Sequence, residues 1–145
     1  MLKHKFVDVI PAHLHQGTLY VCIPYATAVH QCCCGCGTEV VTPLSPTDWK
    51  LTFDGATVSL DPSIGNWSFA CGSHYWITRS QVRWARNWTQ DEVAEGRRLD
   101  RDAKERFYAD PAAYGSRKQN DCSSGTSPDM PTTSFWRRLL RWWKK

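Results

Sequence analysis

The stretch His30-Gln31-Cys32-Cys33-Cys34-Gly35-Cys36-Gly37 holds four of the chain's seven cysteines, and Cys71-Gly72-Ser73-His74-Tyr75-Trp76 supplies a fifth. Such density is a metal-ligand pattern rather than a packing pattern, and it requires the fold to bring two distant stretches together. Tetrahedral zinc takes four thiolate or imidazole ligands. One solution is a zinc-ribbon pair of knuckles, Cys33-x-x-Cys36 with Cys71-x-x-His74. Another uses Cys32, Cys34 and Cys36, whose side chains share a face of an extended chain, with Gly35 and Gly37 bending the backbone and Cys71 as the fourth ligand. The first solution consumes His74; the second leaves it free for chemistry. A closed four-ligand set of either kind is structural and replaces missing hydrophobic core. A catalytic zinc keeps an open position, and no paired carboxylate and histidine ligands of the hydrolytic kind are present.

The compartment bears on that choice. The start, Met1-Leu2-Lys3-His4-Lys5 and then Phe6-Val7-Asp8-Val9-Ile10-Pro11, opens like a signal peptide, but Asp8 and Pro11 break a short apolar run. No other segment is long and apolar enough to span a bilayer. A cytoplasmic location follows as the default, and reduced thiols there favour metal binding over disulfides. Cys22 sits in an apolar run and reads as a small buried hydrophobe, while Cys122 sits in a polar stretch.

At 145 residues, the chain is long enough to bury one modest core. Its formal charge of +4 is unevenly spread: Arg137, Arg138, Arg141, Lys144 and Lys145 cluster at the end with no acid among them. Of 18 basic side chains these five belong to the tail, leaving 13 against 14 acidic ones in the body. The near-neutral body disfavours nucleic acid as a partner.

The pattern from Thr18 to about Trp84 is β, and the expected class is mainly β with a C-terminal helix, α+β overall: a small zinc-stabilised antiparallel sheet with hairpins. Thr18-Leu19-Tyr20-Val21-Cys22-Ile23 and Glu39-Val40-Val41 have strand composition. A two-residue Asp54-Gly55 turn predicts a hairpin pairing Phe53 with Ala56, Leu51 with Val58 and Trp49 with Leu60, all six on one face. Tyr75-Trp76-Ile77-Thr78 and Gln81-Val82-Arg83-Trp84 predict another. The β domain is thus assigned residues 1–88.

Beyond it the period changes. Thr89-Gln90-Asp91-Glu92 is a capping box opening a polar helix to about Tyr108, with a thin apolar stripe of Val93, Leu99, Ala103 and Phe107, in a helical extension spanning 89–114. This helix would pack along the sheet edge or serve as an arm. Residues 115–133 read as a flexible linker. Residues 134–145 predict a basic amphipathic helix with Trp136, Leu139, Leu140 and Trp143 on one side, suited to an anionic membrane surface or an acidic partner.

Between the cysteine stretches, Pro62 and Gly65 bracket Ser63 in an expected tight turn just past the hairpin. If Cys71 binds metal, His74 is held three residues later and can serve Ser63 as general base, oriented by His30, Asn66 or Asp61. The bland alternative is a serine that serves its turn and a histidine that serves the core or the metal.

The string His30-x-Cys32-x-Cys34-Gly35-Cys36-Gly37, Pro43-Leu44, Trp49, Ser59-Leu60-x-Pro62-Ser63-Ile64-Gly65-Asn66-Trp67 and Cys71-x-Ser73-His74-Tyr75-Trp76-Ile77 resembles a small bacterial family. Its members are encoded beside ubiquitin-like proteins and their activating and conjugating enzymes in bacterial ubiquitination-like operons. The likeness runs from about Lys5 to Trp84. It implies a metal-binding component of such a pathway with a serine-peptidase role in trimming or removing the ubiquitin-like protein. Carried onto this chain, it implies zinc on Cys32, Cys34, Cys36 and Cys71, with Ser63 as nucleophile and His74 as base; Cys33 falls where the family pattern requires no cysteine. Partners would be the ubiquitin-like protein and its conjugation enzymes. A non-catalytic zinc-ribbon adaptor binding those proteins is the competing expectation.

Overall fold

The computed structural model describes residues 1–109. The expected linker over 115–133, the basic helix over 134–145, Cys122 and the end of the helical extension lie outside the described residues.

Eight strands form two four-stranded sheets, followed by one helix. The first sheet has the order β1 (Lys3–Phe6), β2 (Thr18–Cys22), β3 (Thr27–Gln31) and β4 (Glu39–Pro43). Only the β1–β2 pair is parallel. The second has the order β5 (Lys50–Phe53), β6 (Val58–Gly65), β7 (His74–Thr78) and β8 (Gln81–Trp84), all antiparallel. The fold is mainly β and α+β overall, as expected, with its strands divided between two sheets. β1 and β3 add to the strands that composition picks out.

One core joins the sheets. Leu19, Val21, Ala28 and Val40 of the first meet Val58, Leu60, Ile64, Tyr75 and Ile77 of the second, with Leu2 and Cys32 in the same cluster. All five residues of β2 are buried, which is why that strand reads as an unbroken apolar run rather than an alternating one. Cys22 is a buried thiol, as its setting suggests, with its Sγ 3.1 Å from the Asp8 carbonyl oxygen.

The β5–β6 hairpin departs from the expected register. Phe53 pairs with Val58, Leu51 with Leu60 and Lys50 with Asp61, two residues away from a two-residue turn. The cause is Asp54, whose carboxylate accepts hydrogen bonds from the N–H groups of Ala56 (3.0 Å) and Thr57 (2.6 Å) and from the Thr57 hydroxyl (2.6 Å). These bonds spread the turn over four residues. A shift of two preserves which residues share a face, so Val58 and Leu60 still enter the core. The β7–β8 hairpin does close on two residues, Arg79 and Ser80, both with positive φ (48° and 57°), as a primed turn requires.

The helix α1 (Gln90–Ala109) starts at its capping box: Thr89 N–H donates to Glu92 Oε2 at 2.9 Å, and Glu92 N–H to Thr89 Oγ1 at 3.3 Å. Its first turn is tied down by buried Val93, and its far end by Lys104 to Asp48 (2.7 Å) and Tyr108 to Thr47 (3.3 Å). Ala103, placed in the apolar stripe by the sequence pattern, is exposed.

Candidate functional site

Strand alternation gives the second sheet two chemically distinct faces. Leu60, Ile64, Tyr75 and Ile77 point into the core, while Ser63, Gly65, His74 and Trp76 share the other face. Ser63 does not sit in the tight turn expected past the hairpin; it lies within β6. Leu60 pairs with Ile77 and Ile64 with Tyr75, so three residues of β6 (Asp61, Pro62, Ser63) stand against Trp76 alone. The strand bulges there and re-aims Ser63. Its Oγ lies 2.9 Å from His74 Nε2.

Gly65 stands directly opposite His74. Asn66 N–H donates to the Ser73 carbonyl (2.8 Å) and Ala85 N–H to the His74 carbonyl (2.9 Å), so Gly65 and His74 form a non-hydrogen-bonded pair, in which facing side chains come closest. The glycine leaves a slot that the Trp67 indole fills: a Cβ on residue 65 would fall 2.4 Å from Trp67 Nε1. The indole in turn packs edge-on against the imidazole, centroids 4.8 Å apart. Gly65→Ala is therefore expected to displace the indole and cost about 1–3 kcal/mol, read as a lower denaturation midpoint. An unchanged midpoint would mean that the slot is not needed.

His74 is buried, and this desolvation lowers its pKa below the ordinary 6.5, with the Arg86 backbone partly offsetting the effect. The imidazole is therefore neutral at pH 7. Its Nδ1 is buried and makes no hydrogen bond of full geometry, although the Arg86 backbone lies close enough to the ring to favour its protonated form. None of His30, Asn66 and Asp61 is hydrogen-bonded to His74. His30 Nε2 is 2.9 Å from the Tyr75 hydroxyl, Asn66 Nδ2 donates to Ser73 Oγ at 2.9 Å, and Asp61 is exposed opposite Lys50. Aromatic rings surround the imidazole instead: Trp67, Trp76 (5.4 Å) and Trp88 (5.0 Å).

The cysteine stretches do meet. The sulfurs of Cys32, Cys34, Cys36 and Cys71 all lie within 4.8 Å of one another and could hold a metal ion. Individual separations are 3.3 Å (Cys32–Cys34), 3.8 Å (Cys36–Cys71) and 4.0 Å (Cys32–Cys71). Around a tetrahedral ion with metal–sulfur bonds of about 2.3 Å, sulfurs stand roughly 3.8 Å apart, so the donor set fits such an ion. Cys33 and His74 are not in the group. Cys33 packs against the core, where burial pushes its thiol up to about 11.

Hydrogen bonds favour the thiolate at two of the four cysteines, while at Cys34 a bond from the Cys36 backbone is outweighed by the neighbouring Cys32 and Cys36 sulfurs, which push its thiol up to about 12. The Thr38 side chain and backbone hold Cys36 down to about 6, and the Ser73 side chain lowers Cys71. Ser73 Oγ also lies 3.0 Å from Cys32 Sγ, and Asn66 Nδ2 lies 3.7 Å from the same sulfur. A buried chain of polar groups thus runs from His30 through Tyr75 and Asn66 to Ser73 and the inner sulfur. His30 and Asn66 belong to the cysteine side of the site.

Ser73, Tyr75, Thr38 and Trp88 are contributors that sequence reasoning passed over. For two of them a signal existed: extending the alternation of β7 backwards puts Cys71, Ser73 and Tyr75 on one face. Trp88 follows the last strand in an irregular segment and carried none.

A family model described as bacterial ubiquitination-like system serine protease (BubE) matches residues 6–85, more than half of the chain. No curated protein and no solved structure matches it.

Proposed function

The chain belongs to the family of bacterial ubiquitination-like system serine proteases, and from that premise we propose that it is a zinc-stapled serine peptidase that processes or deconjugates a ubiquitin-like protein. The observation that carries the proposal is the 2.9 Å contact of Ser63 Oγ with His74 Nε2. Nucleophile and base lie within hydrogen-bond reach, and the base is neutral at the pH where it must accept a proton.

Ser63 Oγ attacks the carbonyl carbon of the scissile bond as His74 Nε2 takes its proton. His74 returns that proton to the leaving amine, and water then hydrolyses the acyl-enzyme with the same histidine as base. The Gly65 N–H points away from β7, and β5 pairs no further along β6 than Asp61, which leaves this donor for the oxyanion. Zinc on Cys32, Cys34, Cys36 and Cys71 would be structural. Four thiolates would close its coordination, and the ion would tie the end of β3 to the approach to β7. Partners are the ubiquitin-like protein and its conjugation enzymes. A cytoplasmic setting suits the six cysteines among the described residues, all free thiols. No described helix is long and apolar enough to cross a membrane.

A fluorophosphonate probe tests the assignment. The full chain is expected to be labelled once, at Ser63, and Ser63→Ala to lose the label while keeping its metal content and denaturation midpoint. A wild-type chain that stays unlabelled and leaves a ubiquitin-like precursor uncut would overturn the peptidase in favour of the non-catalytic zinc adaptor.

A further inference from the structure

We infer that Trp88 is a positioning residue for His74, closing with Trp67 an aromatic clamp that orients the imidazole where no carboxylate among the described residues does so; this rests on the peptidase assignment above. One hydrogen bond of full geometry, Nε2 to Ser63, with the Arg86 backbone near the ring but not in such geometry, leaves the imidazole able to turn about its outer side-chain torsion unless packing stops it. Two rings stop it here. Trp88 meets the imidazole at 5.0 Å and 78°, Trp67 at 4.8 Å and 61°, and the two indoles stack on each other at 5.4 Å and 18°. Such pairs add attraction beyond the area they bury.

Trp88 is itself held by the start of α1. The capping box between Thr89 and Glu92 fixes the residue after it, and the Arg86 Nη1 and Nη2 groups donate to the Glu92 carboxylate across it. On the helix, Gly96 leaves the room the indole occupies: a Cβ there would lie 3.1 Å from Trp88 Cζ3. Arg86, Trp88 and α1 all lie beyond the residues matched by the family model. The helix is therefore not a free arm. It carries the outer half of the clamp onto a dyad built by the β domain.

The test uses the full chain with its metal bound. Trp88→Ala is expected to slow fluorophosphonate labelling of Ser63 by on the order of 10–100-fold, as misplaced catalytic groups do. Trp88→Phe should recover most of that rate. Nitrogen-edited NMR of the His74 ring gives a readout independent of activity. Wild type should show one neutral tautomer titrating below 6.5; Trp88→Ala should show mixed tautomers and a pKa moved up toward 6.5 as the ring gains water. Should Trp88→Ala fail to fold, Gly96→Ala crowds the same indole while improving helix propensity, and the same tautomer mixing is expected. Labelling within twofold of wild type with an unchanged His74 titration would overturn the clamp. If wild type takes no label, the peptidase assignment fails separately and the titration alone decides the clamp.

Discussion

Cys71→Ser is expected to release the metal and lower stability by on the order of 5 kcal/mol, enough to unfold much of a domain whose total is typically about 5–15 kcal/mol. The size of the effect follows from where the sulfurs come from. Cys32, Cys34 and Cys36 leave the end of β3 in the first sheet, whereas Cys71 precedes β7 in the second, so one ion would cross-link the two halves of the core. Three of the four side chains are exposed, and little apolar burial replaces the link once it is lost. Elemental analysis of the purified protein together with a denaturant titration checks this. Cys33→Ser serves as the control, since that sulfur is outside the group and should leave stoichiometric metal. A Cys71→Ser protein with full metal content and an unmoved midpoint would sink the assignment.

Removing the imidazole with His74→Ala is expected to lower kcat for cleavage of the ubiquitin-like substrate by about 10²–10⁴-fold, the usual worth of a positioned general base, with metal content unchanged. The wild-type rate should fall along an acid limb centred below pH 6.5, because burial holds the His74 pKa under the ordinary histidine value. The linked effect on stability has a definite sign. Below about 6.5 the unfolded chain takes up the proton first, so stability is lost as pH falls from there toward the lowered folded value, and none is gained above. A rate profile from pH 5 to 9 measured beside thermal denaturation separates the two. An acid limb centred above 6.5 would exclude His74 as the titrating base.

Local patterns made much of this molecule legible. The strand at Thr18, both hairpins and the capping box at Thr89 depend on neighbours in sequence, and each forms. The β5–β6 register differs from the one a two-residue Asp-Gly turn implies, because the Asp54 carboxylate gathers the N–H groups of Ala56 and Thr57 instead. Of the expected orienters of His74, His30 is close in sequence to the cysteines, and Asn66 and Asp61 are close to Ser63. In the fold, alternation sends His30 and Asn66 toward Tyr75 and the cysteines, while His74 points to the opposite face of its sheet.

The crowding of cysteines into two stretches, by itself, marked a group able to hold a metal ion and narrowed its members to two ligand sets. Local periodicity determined strands and helix, because both depend on contacts a few residues apart. Tertiary structure alone decided which sulfurs converge, that a bulge in β6 carries Ser63 to His74, and that a tryptophan beyond the last strand folds back over the imidazole. Those outcomes depend on pairing between β6 and β7 and on where α1 is anchored, distances that no local spacing encodes.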